Sequence, residues 1–264
     1  MTDQIEVGRV IFPKDTPDLW RVQTLKSHVD NVTRLAKLWD NNCAFQGCPY
    51  DLSQTRNKVI QAAKIHDMAK PVKFRLGYQQ NRITHKWGWT YSFAGHRFEA
   101  FDPDPYAQTL AQLHHEYSVA GITKHMAQLK LNEKTEPFAN HLPLDLYALE
   151  MCDQIEATLA CTALEDKDPE ARVFMDFQFN WPDRDKLDFQ IEPFVFEKQK
   201  PVRLPIEYLE VAPPHDKRLA VENTTDDGKR RELLRDIQHW LLAQLHENPP
   251  PSIQTKEVTI WPWI

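Results

Sequence analysis

Residues 64 to 71 read KIHDMAKP, and they follow the apolar run VIQAA from Val59 to Ala63. His66, Asp67 and Lys70 thus stand at the end of a core-forming helix, which Pro71 closes. Burying such groups is costly unless they are paired or bind a cation. The same residue types recur along the chain, as His28, His96, the doublet His114-His115, and Asp153. Neutral imidazoles bind first-row divalent metals well, and carboxylates complete such sites and can bridge two ions. Five histidines and two aspartates on neighbouring helices suit a site for two metal ions. Two ions about 3.5–4 Å apart activate a water near neutral pH and clamp a phosphate. Successive helical residues lie about 100° apart, so His66 and Asp67 can border one cavity. Lys70, at i+4 from His66, shares that face.

The order of these residues carries a family signature. His28, His66-Asp67 with Lys70, His96, His114-His115 and Asp153 resemble the HD superfamily of metal-dependent phosphohydrolases, over roughly residues 17 to 165. The extra histidines match its two-metal branch. Within that branch the pattern is most similar to the HD nuclease domain of type I CRISPR-associated helicase-nucleases. The resemblance implies that His28, His66, Asp67 and Asp153 hold one ion. Asp67, His96, His114 and His115 would hold the second, with Asp67 bridging and Lys70 neutralising a phosphate oxygen. It favours manganese, cobalt or nickel; mixed His/Asp ligation also suits iron or zinc. Two positions depart from the pattern: Ala69 stands where a glycine is common, and Arg97 follows His96 where a glutamate is common.

No G-x-x-x-x-G-K-[ST] phosphate loop occurs, so the helicase half is missing. The resemblance therefore implies a stand-alone nuclease subunit in CRISPR interference, an antiviral defence. Its substrate would be single-stranded DNA delivered by a separate helicase or CRISPR effector complex. Two other readings stay open. One is an HD phosphohydrolase of small nucleotides, nucleoside phosphates or cyclic dinucleotides: in the cyclic dinucleotide enzymes a Glu follows the doublet, as Glu116 does in HHEYS, although EYSVAGITKH lacks their downstream Gly-Tyr-Pro. A non-catalytic adaptor with the same fold is the third, set against seven filled ligand positions. Glu116 is either an acceptor that orients a ligand or a surface residue.

The elements that must position these residues read as helices. Leu19, Val22, Leu25, Val29, Val32, Leu35 and Trp39 recur every three or four residues, predicting a helix over 17–39 with Pro17 in its first turn. Ser53 is a candidate N-cap for a helix over 54–69. Residues 71 to 92 form a long connection with a short hairpin. Short helices follow near 93–101, 105–115 and 117–130, then a long one from Leu144 to Leu164. The expected fold is mainly α, an HD-domain helical bundle over 1–165. A less regular accessory region over 166–264 would hold strands between 172 and 211, a turn-rich stretch over 212–229, and an amphipathic helix over 229–246.

Composition sets the remaining bounds. The chain has 264 residues, 41% hydrophobic and 27% charged, enough for a sizeable core. A net charge of −6 excludes a globally basic nucleic-acid binder. The balance inverts locally: between Lys64 and Phe98, Lys70, Lys73, Arg75, Arg82, Lys86 and Arg97 face a single acid, Asp67. Aromatics interleave there, Trp87 among them, and such a pattern tracks phosphates and stacks bases. A solvated loop with core aromatics gives the same pattern; its place beside the proposed ligands favours Lys73, Arg75, Arg82, Lys86, Trp87 and Arg97 as nucleic-acid contacts. No apolar run approaches the roughly 20 residues of a membrane span. With no export signal, Cys43, Cys48, Cys152 and Cys161 are expected reduced and the protein cytoplasmic.

Overall fold

A computed structural model of the chain describes residues 5–13, 16–38, 54–93, 103–116, 118–165, 202–247 and 252–260. His96 and Arg97 lie outside the described residues. So do Ser53, the Cys43/Cys48 loop, residues 94–101 of the short helix expected there, and the strands expected over 172–201. The elements run β1 (Val7–Ile11), β2 (Trp20–Thr24), α1 (Leu25–Leu38), α2 (Arg56–Ile65), α3 (Lys70–Lys73), β3 (Phe74–Gln80) and β4 (Trp87–Phe93). They continue with α4 (Pro105–Leu113), α5 (Val119–Leu129), α6 (Leu142–Leu164), β5 (Val202–Val211), α7 (His215–Asn223), α8 (Asp227–Leu245) and β6 (Gln254–Ile260).

The expected mainly α bundle is thereby corrected to a mixed α/β fold: among the described residues 57% are helix and 21% strand, with six strands in two antiparallel sheets. The first sheet has the order β1-β2-β5-β6, and the second is the β3-β4 hairpin. Of the stretch read as one helix over 17–39, residues 20–38 are instead β2 followed by α1. Leu19, Val22 and Leu25 happen to fall at helical spacing, but the local chemistry favours a strand. Trp20, Val22 and Thr24 are aromatic or β-branched and alternate with Arg21 and Gln23. The Thr24 hydroxyl then accepts from the Ser27 amide at 3.0 Å, an N-cap bond that starts α1. Pro17 precedes β2 and takes no part in a helix.

The described part of the C-terminal region is more regular than expected. β5 pairs with β2, from Trp20↔Val211 to Gln23↔Tyr208, and β6 pairs with β5. α7 occupies the stretch read as turn-rich, and β6 lies in the proline-rich tail. Only Tyr208–Val211 of β5 pair with β2, so Pro205 lies where that edge faces no strand, a position that tolerates its missing N–H. α1 covers it instead. The Pro205 carbonyl accepts from Asn31 Nδ2 at 2.8 Å and Ser27 Oγ at 3.3 Å, while the Glu207 amide donates to Ser27 Oγ at 2.9 Å.

The four-stranded sheet separates two cores. On one side Leu204, Ile206, Tyr208 and Val258 pack with α1, α2, α4 and α6. On the other, Trp20, Val22, Leu209 and Val211 pack with Phe74 and Leu76 of the hairpin and Ile237, Leu241 and Leu245 of α8. α6 is buried nearly all round, as befits a helix through the middle of a domain. Truncating Leu149 or Ile155, both fully buried, would cost about 2–5 kcal/mol. Asp145, Glu150, Asp153 and Glu156 are buried on the same helix, so its polar residues must find partners. No helix among the described residues is long and apolar enough to cross a membrane.

Candidate metal centre

Two helix ends deliver histidines in the same way. His66 is the C-cap of α2 and His114 the C-cap of α4. Each Nδ1–H donates to the carbonyl three residues back, Ala63 at 2.8 Å and Ala111 at 2.7 Å. Those last-turn carbonyls have no intrahelical partner, so the imidazoles satisfy them. The bonds also fix the tautomer and turn Nε2 outward as the ligating atom. His28 arrives from within α1 with the same polarity. Its Nδ1–H donates to Glu156 Oε2 at 2.5 Å, and its Nε2 faces Asp67 Oδ2 at 2.8 Å and Asp153 Oδ1 at 3.3 Å.

Asp67 lies at the centre. Its Oδ2 is 3.2 Å from His66 Nε2 and also contacts the Lys70 ammonium, while its Oδ1 is 3.9 Å from His114 Nε2. Asp153 Oδ1 lies 4.0 Å from His66 Nε2. One ligating atom from each of His28, His66, Asp67 and Asp153 falls within 4.8 Å of all the others, and all four residues are buried. His66 Nε2 and Asp67 Oδ1 are buried with no hydrogen-bond partner among the described residues. Orphaned atoms of this kind are what a cation would satisfy. Two imidazoles and two carboxylates form a donor set suited to a divalent first-row metal, and this buried group can hold a metal ion.

A second group with the same spacing joins His114, His115 and Asp153. Asp153 is common to both groups, whereas Asp67 reaches the second only through the 3.9 Å approach to His114. The His115 side chain is 42% exposed, so this group marks the open side of the centre. His115 Nδ1 is 3.4 Å from Glu150 Oε2.

The charges hold one another in place. Burial works against ionisation of Asp67, but His66 and Lys70 outweigh it and keep the carboxylate well below its usual range. Burial likewise opposes Asp153 and is overcome by His28, to which it is hydrogen-bonded. Burial works against the charged form of His28, but Glu156 together with the hydrogen-bonded Asp153 and Asp67 outweighs it and pushes the imidazole up to about 10. His114 goes the other way, down to about 3, through burial and the neighbouring His115 and His66, and is therefore a neutral donor at physiological pH. Metal binding here would displace the proton from His28 Nε2.

The structure thus gathers His28, His66, Asp67, Lys70, His114, His115 and Asp153. It places three of the expected nucleic-acid contacts, Arg82, Lys86 and Trp87, at the far end of the hairpin from Lys70. Phe74↔Phe93 is the base of the hairpin, and the Phe93 ring lies 5.2 Å from the Lys70 ammonium. Lys73 and Arg75 flank this base, Lys73 half-buried and Arg75 exposed. Arg82 and Lys86 are exposed at the tip, about 20 Å along the strands. Trp87 stacks on Tyr78 at 5.6 Å with the Arg230 guanidinium 4.7 Å from its ring, so it ties the hairpin to α8. His85 is exposed at the same tip with φ 53°, a turn conformation. Glu116 accepts from the amide and hydroxyl of Ser118 in the exposed turn before α5.

Sequence reasoning missed Glu150 and Glu156. Their signal was present: Glu150, Asp153 and Glu156 recur every three residues, which puts them on one side of α6. Arg9 and Gln23, which contact Glu156, carried no signal, because their strands were not recognised. Comparisons of the chain with family models, with curated proteins and with solved structures return no match.

Proposed function

We propose that the protein is a metal-dependent HD-type phosphodiesterase that cleaves single-stranded DNA. The observation that carries this reading is the buried group of His28, His66, Asp67 and Asp153 with orphaned ligand atoms turned inward. These four would hold one ion. His114, His115 and Asp153, together with Asp67 and His96, would hold a second, with manganese, cobalt or nickel favoured. Bound divalent ions supply Lewis acidity and an activated water for attack on a phosphodiester.

The chain's own residues do the rest. The Nδ1–H bonds of His28, His66 and His114 hold their rings without cost at the moment of reaction. Lys70, paired with Asp67 at the edge of the cluster, stabilises the charge that grows on the phosphate oxygens. The half-exposed His115 places the approach on the open side. A single strand reaches a phosphate to such a recess more readily than a stiff duplex does. The basic and aromatic hairpin supports a polynucleotide over a free nucleotide. A helicase or CRISPR effector complex would expose that strand.

The test is incubation with manganese, cobalt or nickel and, in parallel, single-stranded DNA, single-stranded RNA and a panel of nucleotides and cyclic dinucleotides. Metal-stimulated cleavage of DNA that chelation abolishes supports the proposal. Turnover confined to the nucleotide panel replaces the DNA reading with a small-nucleotide one. No turnover together with no metal uptake leaves an adaptor.

A further inference from the structure

Behind His28 lies a second layer of buried polar groups, Glu156, Gln23 and Arg9, to which the catalytic reading gives no role of their own. Glu156 is completely buried on α6, one turn beyond Asp153. Its Oε2 accepts from His28 Nδ1 at 2.5 Å, and its Oε1 accepts from Gln23 Nε2 of β2 at 2.5 Å. Arg9 of β1 brings its guanidinium to 3.6 Å from Oε2 and anchors the same guanidinium on the Ala157 carbonyl at 3.0 Å and on Cys161 Sγ at 3.5 Å. Both carboxylate oxygens are therefore engaged, by groups from two strands and one helix.

Resting on the metal-centre reading above, we propose that Glu156 is the positioning residue of that centre. It fixes His28 with Nδ1 protonated and Nε2 aimed at the ion, and Gln23 and Arg9 hold it in place from the sheet. The reasoning is geometric. A mid-helix histidine has no spare carbonyl to lean on, unlike His66 and His114, which bond the ends of their own helices. An external acceptor must do that job for His28, and Glu156 is the group on its Nδ1 side. A carboxylate in this role fixes ring orientation and raises ligand basicity, and its loss weakens metal affinity by about 10- to 100-fold. The four-stranded sheet then has a function: it braces the first ligand of the centre.

The experiment measures Mn²⁺ affinity of the full chain by electron paramagnetic resonance, for wild type and Glu156→Gln. Nitrogen-15 NMR of labelled histidines with Zn²⁺ bound reports the tautomer of His28. The expected result is Mn²⁺ affinity about 10- to 100-fold weaker in Glu156→Gln, with unchanged far-ultraviolet circular dichroism. In wild type, His28 should carry its proton on Nδ1 and bond Zn²⁺ through Nε2. Equal affinity in a folded Glu156→Gln overturns the inference and leaves the metal centre standing. A wild type that takes up no Mn²⁺ overturns both. Should Glu156→Gln fail to fold, the wild-type spectrum decides. Zn²⁺ on Nδ1, or no proton there, contradicts the role, and the Nδ1–H tautomer supports it.

Discussion

His28 Nε2 and Asp67 Oδ2 meet at 2.8 Å across 39 residues of sequence, with both side chains fully buried. Neither can be satisfied alone in that setting. Asp67 also carries Lys70, and His28 also carries Asp153 and Glu156. Such a concentration of opposite charge is weak support for stability as such, since its desolvation is costly. It is explained more simply as a site assembled for a cation.

Asp67→Asn keeps the shape of the side chain and removes its charge. The metal reading predicts loss of metal uptake and at least about a 100-fold fall in phosphodiester cleavage. Circular dichroism should stay native. Calorimetric titration with Mn²⁺ and a DNA cleavage assay check this together. Full cleavage by Asp67→Asn would place the chemistry elsewhere.

Asn31→Ala removes one bond from α1 to β5 and Ser27→Ala removes two, next to His28. Each should lower stability by about 0.5–1.5 kcal/mol in urea unfolding. Removing residues 166–264 altogether strips β5 from β2 and uncovers Leu209 and Val211's partners in the core. That shortened chain should fail to unfold cooperatively. A sharp, two-state urea transition in it would show that the helical part stands without the sheet.

Asp145 offers a pH test away from the metal ligands. Thr55 Oγ1 donates to it at 2.8 Å and Tyr106 OH at 2.7 Å, yet burial pushes its carboxyl up to about 7. A raised carboxyl binds its proton more tightly folded than unfolded, so its contribution is complete below about pH 4 and is lost as pH rises through about 7. The total change is on the order of 4 kcal/mol. Asp145→Asn should flatten this part of the profile between pH 4 and 7. An identical slope in wild type and Asp145→Asn would assign the dependence to other groups.

Arg82 and Lys86 test the hairpin. If both contact phosphates of a single strand, replacing both with alanine should reduce the slope of log affinity against log salt by about 1.4. Metal affinity should not change, because both residues sit at the far end of the hairpin from the cluster. An unchanged slope removes the tip from the DNA path.

The residues of the cluster were legible because their types are rare in core helices. KIHDMAKP, the His114-His115 doublet and Asp153 do converge, and α4 and α6 lie where periodicity put them, whereas α2 stops at Ile65, short of the expected Ala69, and Pro71 opens α3 instead of closing α2. The sheet was not legible. Leu19, Val22 and Leu25 mimic a helical repeat, and β1, buried along its whole length, shows no alternation to read. β5 was half visible, with Pro205 arguing against a strand that α1 in fact completes. Glu156 was hidden for a related reason: its partners Gln23 and Arg9 come from those unrecognised strands.

The most direct measurement is a crystal structure of the chain grown with Mn²⁺, with diffraction recorded at the manganese edge. The account predicts an anomalous peak bonded to His28 Nε2, His66 Nε2, Asp67 and Asp153. Manganese absent from that cluster, in crystals where these four side chains are ordered, would contradict it.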